Sequence, residues 1–320
     1  MKILVAGGSS FVGRAIALAA LEQGHEVTVV NRGLTPTDLP PSIRRLVGDR
    51  HGDLSALTHE SFDATIDSVA FQRRDVENLA AALGERAGHY IQISSISAYQ
   101  DPSEHGADES TPLHELGDID PNADVTAQTY GPLKAECERA AAEVFSSVGI
   151  VRPTYVLGSH DKTFRFPYWV SRLSRGGRVA FPGPRSNALQ WIDARDLGAF
   201  SVAMATQGFV GAVHTVAQYP TMSFGEVLEA VASQVAPAGT ELVEIDPAQL
   251  EGMSWYRSFP LWSGPNSEPA LNMNNQAALD LGLHVRPLSD TIADTAQWLV
   301  GRELPDWWLS ADDEAKLLSR

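Results

Sequence analysis

The first twenty-one residues restrict the fold more than any other segment. Lys2-Ile3-Leu4-Val5-Ala6 reads as a buried parallel strand. Gly7-Gly8-Ser9-Ser10-Phe11-Val12-Gly13 follows it, and Arg14 to Leu21 has the composition of a helix. Strand, glycine turn and helix in that order is the context a dinucleotide fingerprint requires. The N–H groups of such a turn and of the helix N-terminus face a pyrophosphate, while Gly13 lets helix and strand approach closely. Val27-Thr28-Val29-Val30 then reads as the second strand of a βαβ unit. Gly7, Ser9, Ser10, Phe11, Val12 and Gly13 are therefore candidate cofactor contacts, and a glycine loop without any ligand is the alternative.

The end of that second strand bears on which dinucleotide is bound. An NAD site usually carries Asp or Glu there to bind the ribose 2′-hydroxyl. This chain has Asn31-Arg32 instead. A carboxylate would repel a 2′-phosphate, whereas asparagine tolerates it and arginine can pair with it in two-pronged fashion. NADP(H) is favoured on this ground, with NAD(H) possible. The plainer alternative is that Arg32 is a solvated turn residue before Gly33.

A second constellation carries chemistry. Tyr130-Gly131-Pro132-Leu133-Lys134 places a tyrosine and a lysine four apart, on one helix face. A cation held there stabilises a phenolate, the form that takes a proton from a carbinol or returns one to a carbonyl. Ser95 ends the strand His89-Tyr90-Ile91-Gln92-Ile93-Ser94-Ser95 and is placed to hydrogen-bond the same oxygen. The Tyr-x-x-x-Lys spacing is weak alone and gains force beside a nucleotide site.

Taken together, these segments resemble the extended short-chain dehydrogenase/reductases, specifically the NAD-dependent epimerase/dehydratase family, over about residues 2–300. The usual turn of that family has glycine where this chain has Ser10; the likeness is to a branch with a G-G-T-x-F-x-G turn. The resemblance puts Ser95, Tyr130 and Lys134 on the catalytic positions, with Lys134 also contacting the nicotinamide ribose. Glu136 and Glu138 follow on the same helix. It implies that Asp49, with Arg50 beside it, lies at the adenine, although Gly52-Asp53-Leu54 competes for that place. It sets Val69 and Ala70 along the cofactor and Pro153, within Arg152 to Gly158, beside the nicotinamide. Sugar dehydratases of the family carry an Asp-Glu pair just after the catalytic Ser/Thr; here those positions are Ile96 and Ser97. An NADPH-dependent carbonyl or imine reductase is accordingly ranked first. A sugar-nucleotide epimerase with tightly bound NAD is the alternative, and a non-catalytic NADP-binding or sensor protein comes third.

The expected architecture is α/β, a doubly wound parallel sheet with a smaller mixed C-terminal substrate lobe. Strand and helix signals alternate to about residue 155. The expected dinucleotide-binding domain is 1–156 with 189–217 returning to it, and the substrate lobe is 157–188 with 218–320. Its aromatic segments, Phe164 to Trp169 and Ser254 to Trp262, read chiefly as packing, with Arg165 and Arg257 as candidate pocket residues for an acidic or planar substrate. Asn275–Leu281 and Ser289–Leu299 read as helices, the second with Ser289 as N-cap. The segment Ala311 to Glu314 reads as solvated and fraying. Residues 100–129 hold eight Asp or Glu and no Lys or Arg. They read as a solvated loop, with an active-site lid attracting cationic substrates as the alternative.

A net charge of −16 opposes a phosphate-backbone partner, so no nucleic acid is expected even though some chloroplast RNA-binding proteins resemble the same branch. No apolar run approaches a membrane span, and no signal peptide is visible. The single cysteine, Cys137, reads as packing and fits a reducing cytoplasm. No metal-ligand spacing occurs, and His160-Asp161 reads as a surface hydrogen-bonded pair. The expected partners are a small-molecule substrate and at most a second copy in a homodimer.

Overall fold

A computed structural model describes residues 1–102, 106–253, 255–264 and 271–319, the side chains of Trp255 and Tyr256 excepted. Ser254 and those two side chains, part of the second aromatic segment, thus lie outside the described residues, as do residues 103–105 of the acidic connection.

Seven parallel strands form the central sheet. Its strands are β1 (Lys2–Ala6), β2 (Glu26–Asn31), β3 (Arg44–Val47), β4 (Ala64–Asp67), β5 (His89–Ile93), β6 (Val148–Pro153) and the strand Gly211–Thr215. Their spatial order is Gly211–Thr215, β6, β5, β4, β1, β2, β3. The chain starts in the middle, winds one way through β2 and β3, then restarts beside β1 with β4. That reversal between β1 and β4 opens a crevice at the carboxyl ends of the strands, where doubly wound folds bind ligands.

Both faces of the sheet are covered, which is why its strands are almost continuously apolar. On one face, α1 (Phe11–Glu22) and α5 (Ala194–Gln207) bury Ile16, Ala20, Leu197 and Phe200 against Ile3, Val5 and Ile91. On the other, α2 (Arg73–Leu83) and α3 (Tyr130–Val144) bury Val76, Leu79, Cys137 and Ala141 against Leu4, Ala6 and Tyr90. Cys137 is buried there, and burial pushes its thiol up to about 12.

A smaller mixed part follows. Helices α4 (Arg165–Ser174) and α6 (Phe224–Val235) pack Trp169, Leu173 and Phe224 with Phe181, Phe259 and Trp262 into a second core. The aromatic segments are mainly core, and Trp169 Nε1 donates to the Pro260 carbonyl at 2.6 Å. Arg165 lies over the Tyr155 ring, 5.2 Å from its centroid, while Arg257 is exposed.

Three local expectations need correction. The helix Leu288–Leu299 has Pro287 at its N-cap position, two residues earlier than Ser289, because proline's fixed φ suits a helix entry. The C-terminal segment is solvent-exposed at Ala311, Asp312 and Asp313, as expected, but not at Glu314. It forms the helix Ala311–Leu318, whose buried Glu314 pairs with Arg172 at 2.7 Å and accepts the Ala180 N–H. Asp161 is fully buried and bonds Thr163 and the Arg165 N–H, while His160 stands beside Trp298 instead.

Candidate active site

A cavity of about 580 Å³ lies in the crevice, within the range of small-molecule sites. Gly7, Ser9 and Ser10 form one wall, Asn31 and Arg32 the rim after β2, Asp49 and Arg50 the far end, and Val69 the floor. Asp53, the rival to Asp49, is exposed and does not line the cavity. The cradle suits an anion. Ser10 is the N-cap of α1 but makes no side-chain cap, which leaves the first N–H groups of the helix open. Gly13 is required by close approach: a Cβ there would sit 2.5 Å from the Gly7 carbonyl oxygen and 2.7 Å from Ser68 Oγ.

The far wall is internally charge-matched. Arg50 donates to Asp67 at 2.9 Å and to the Val69 carbonyl at 2.8 Å, and Tyr90 donates to the same Asp67 oxygen at 3.0 Å. Arg50 thereby shapes the wall, with both its terminal nitrogens already bonded within the protein. Asn31 is similarly engaged, its Oδ1 accepting the Gly33 N–H at 2.9 Å. Arg32 differs: it is exposed on the rim and makes no ion pair among the described residues.

Ser95, Tyr130 and Lys134 are drawn together by their elements. Ser95 opens the single helical turn Ile96–Ala98, its Oγ accepting the Ser97 N–H at 3.1 Å, so the hydroxyl hydrogen remains to donate. The Ser97 carbonyl abuts Gly131, and any Cβ at Gly131 would overlap it. That contact seats the start of α3, with Tyr130 as its first residue, against the turn carrying Ser95. Lys134 is buried one turn on. Its ammonium donates to the carbonyls of Ala70 (2.9 Å) and Ile93 (2.8 Å) and lies 4.8 Å from the centre of the Phe71 ring. Two of its three hydrogens are thereby committed, and the charge is held between β4 and β5.

Phe11, Val12, Gly13, Ala70, Ser95, Tyr130, Lys134 and Pro153 do not line the large cavity. Phe11 faces a second cavity along α1, Gly13 acts by packing, and Ala70 acts through its carbonyl on Lys134. The structure adds contributors that no motif announced. His51, Gln72, Arg74 and Asp75 line the large cavity, as do Asp124 and Val125 from the acidic connection.

The connection is not a free loop over its described length. Gln72 Nε2 donates to the carbonyls of Asn122 (3.1 Å) and Ala123 (2.7 Å), the Arg73 N–H to Pro121, and the Arg74 N–H to Asn122 Oδ1. Residues 121–123 are thus strapped to the N-terminus of α2, and Asp124 and Val125 beside them line the cavity. The sequence signals were the acidic composition of residues 100–129 and the lid reading built on it, neither of which said where the connection would attach.

Among the described residues no group of side chains could hold a metal ion, and no helix is long and apolar enough to cross a membrane. The model of the NAD dependent epimerase/dehydratase family matches residues 3–217. A chloroplast stem-loop binding protein of 41 kDa from Arabidopsis thaliana is 24% identical over 271 residues, which is 78% of this chain and 67% of that protein. Among solved structures, the Bordetella bronchiseptica enzyme WbmH in complex with NAD+ superposes with a TM-score of 0.70 at 17% identity, over 94% of this chain and 98% of the other. UDP-N-acetylglucosamine 4-epimerase from Bacillus cereus superposes with a TM-score of 0.68 at 15% identity, over 96% and 99%. With the family model spanning the glycine turn, Ser95, Tyr130 and Lys134 in one stretch, this chain belongs to the NAD-dependent epimerase/dehydratase family and is an NAD(P)-dependent enzyme of the extended short-chain dehydrogenase/reductase type.

Proposed function

We propose that the chain epimerises a carbinol centre of a sugar-nucleotide-like substrate around a retained nicotinamide dinucleotide. The observation that carries this reading is the strap. Residues 121–123 are pinned to α2 and the adjoining Asp124 and Val125 wall the large cavity, an arrangement suited to a nucleotide that stays through many turnovers. Structural neighbours that are UDP-sugar epimerases support the same choice. The turn Gly7–Ser10 and the open N-terminus of α1 would hold the pyrophosphate, Asn31 and Arg32 would meet the adenosine ribose, and Lys134 would meet the nicotinamide ribose. When bound, the dinucleotide accepts and returns the hydride.

The chain's own residues manage the substrate oxygen. Tyr130 would take its proton and give it back, and the Ser95 hydrogen left free by Ser97 would orient it. Lys134 supplies fixed positive charge where negative charge develops. Ile96 and Ser97 provide neither acid nor base, so elimination of water is not part of the reaction.

A second reading, NADPH-dependent reduction of a carbonyl or imine, is favoured by Arg32, which lines the cavity without an ion pair among the described residues and whose fork suits a 2′-phosphate. One experiment separates the two. The purified protein is denatured and any released nucleotide identified by chromatography and mass. Stoichiometric NAD+ supports the retained-cofactor epimerase. An empty site that binds NADPH more tightly than NADH supports the reductase, and failure to bind either dinucleotide refutes both.

A further inference from the structure

Behind Ser95 runs a buried chain of polar side chains that the proton and hydride chemistry leaves unused. Ser94 Oγ donates to Glu138 at 2.5 Å, and Glu138 takes both Nε (3.0 Å) and Nη2 (2.6 Å) of Arg152. Arg152 Nη1 donates to the Tyr99 hydroxyl oxygen at 3.0 Å. That hydroxyl meets His214 Nδ1 at 3.2 Å, and His214 Nε2 meets the carbonyl of Asn274. All five residues are more than nine-tenths buried, His214 completely.

Donor and acceptor rules permit one assignment for a neutral ring. The Asn274 carbonyl can only accept, so Nε2 carries the hydrogen and Nδ1 is left as an acceptor. Tyr99 must then donate to Nδ1, while its oxygen accepts from Arg152. A further partner stands by. Glu109, from the acidic connection, accepts the His214 backbone N–H at 3.0 Å, and its carboxylate lies 3.6 Å from Nδ1.

Tyr99 in turn governs Ser95. Its N–H closes onto the Ile96 carbonyl at 3.1 Å, completing the single turn that Ser95 opens, and the same turn abuts Gly131 beside Tyr130. We infer that His214 is a positioning residue: its neutral ring holds Tyr99 and hence the Ser95 turn, and its protonation moves the Nδ1 hydrogen bond from Tyr99 to Glu109. The inference rests on Ser95 as the residue that orients the substrate oxygen.

The charged groups facing the ring are Glu109 and Asp108 from the connection and Arg152 from β6, with Glu138 of α3 behind Arg152. Tyr99 is pushed up to about 12 by burial and stays protonated. Burial lowers the His214 pKa from the ordinary histidine value, with Glu109 working against it, so protonation is expected below about pH 6.5. The sign follows: because the folded-state value is depressed, the neutral ring's contribution is fully present above about pH 6.5 and is lost as pH falls through the folded-state value.

The test uses the full chain labelled with nitrogen-15 in its histidine rings. The expected spectrum shows His214 protonated at Nε2 near neutral pH. Glu109→Gln should shift its titration to lower pH, since the counter-charge is gone. Tyr99→Phe should shift it to higher pH, since the donor that favours the neutral ring is gone. Nδ1–H at neutral pH, or a titration that neither variant moves, overturns the inference.

In turnover, His214→Leu should lower kcat on the order of tenfold or more with dinucleotide affinity unchanged. His214→Gln, which keeps an acceptor toward Tyr99 and a donor toward Asn274, should restore most of that loss and abolish the acid limb of the kcat profile. An acid limb unchanged in His214→Gln also overturns the inference. The ring spectra need no substrate, so the two readings fail separately. The expected tautomer and shifts, together with full turnover in Ser95→Ala, would support the relay and refute the role of Ser95.

Discussion

Replacing Gly13 by alanine adds one methyl group at the point where α1 crosses the first turn. In a free helix that change is favourable by about 1 kcal/mol, because glycine is the poorer helix former. Here the new Cβ would lie 2.5 Å from the Gly7 carbonyl oxygen and 2.7 Å from Ser68 Oγ. Carbon–oxygen contacts ordinarily settle at about 3.3 Å or more, so the helix must retreat by roughly 0.6–0.8 Å or the turn must twist. Overpacking of this size costs about 1–3 kcal/mol, and after the helix gain a net loss of roughly 0–2 kcal/mol remains. Cofactor binding should suffer more than stability, because the displaced atoms are those proposed to cradle the pyrophosphate. A weakening on the order of tenfold, about 1.4 kcal/mol, is expected. Calorimetric titration of dinucleotide and thermal denaturation without it read the two effects apart. A melting temperature raised by a few degrees with unaltered dinucleotide affinity would show that helix and turn do not meet as described, and would remove the main structural argument for the cradle.

Three further predictions concern separate parts of the site. Tyr130→Phe should cut turnover by roughly 10²-fold or more while leaving dinucleotide affinity nearly intact; rates near those of the parent chain would discard Tyr130 as the proton carrier. Arg32→Ala should weaken NADPH far more than NADH in a binding titration, and equal losses would place Arg32 away from any 2′-phosphate. Gln72→Ala removes two hydrogen bonds from the strap, about 1–3 kcal/mol together. Stopped-flow release of dinucleotide should accordingly quicken by about five- to 150-fold, and an unchanged release rate would show that residues 121–125 do not retain it.

The local chemistry of the site was legible in the chain to different depths. The glycine turn announced itself because a strand, a tight turn and a helix leave a compositional record within a few residues. Tyr130 and Lys134 announced themselves because a helix repeats with a short period. Asn31 and Arg32 were visible as residue types at the end of β2, but their availability was not. Asn31 turns inward to the Gly33 N–H while Arg32 stays on the rim. Arg50 lines the cavity, yet both its terminal nitrogens bond within the protein, to Asp67 and Val69, a pairing across 17 and 19 residues of sequence that no local pattern encodes.

The sequence by itself determined the alternation of strands and helices, hence the parallel sheet, and the residue types at both ends of the crevice. It did so because periodicity and turn chemistry are local. Only the tertiary structure decided what the acidic connection does. Its residues 122 and 123 bond to the start of α2 beside the large cavity, and its Glu109 reaches the buried His214. Those contacts join segments between about 50 and 105 residues apart, and such pairings are set by the packing of whole elements rather than by any spacing along the chain. The same holds for Ser94, Glu138, Arg152, Tyr99 and His214, which share no motif and become one relay because β5, β6, α3 and the strand Gly211–Thr215 meet behind Ser95.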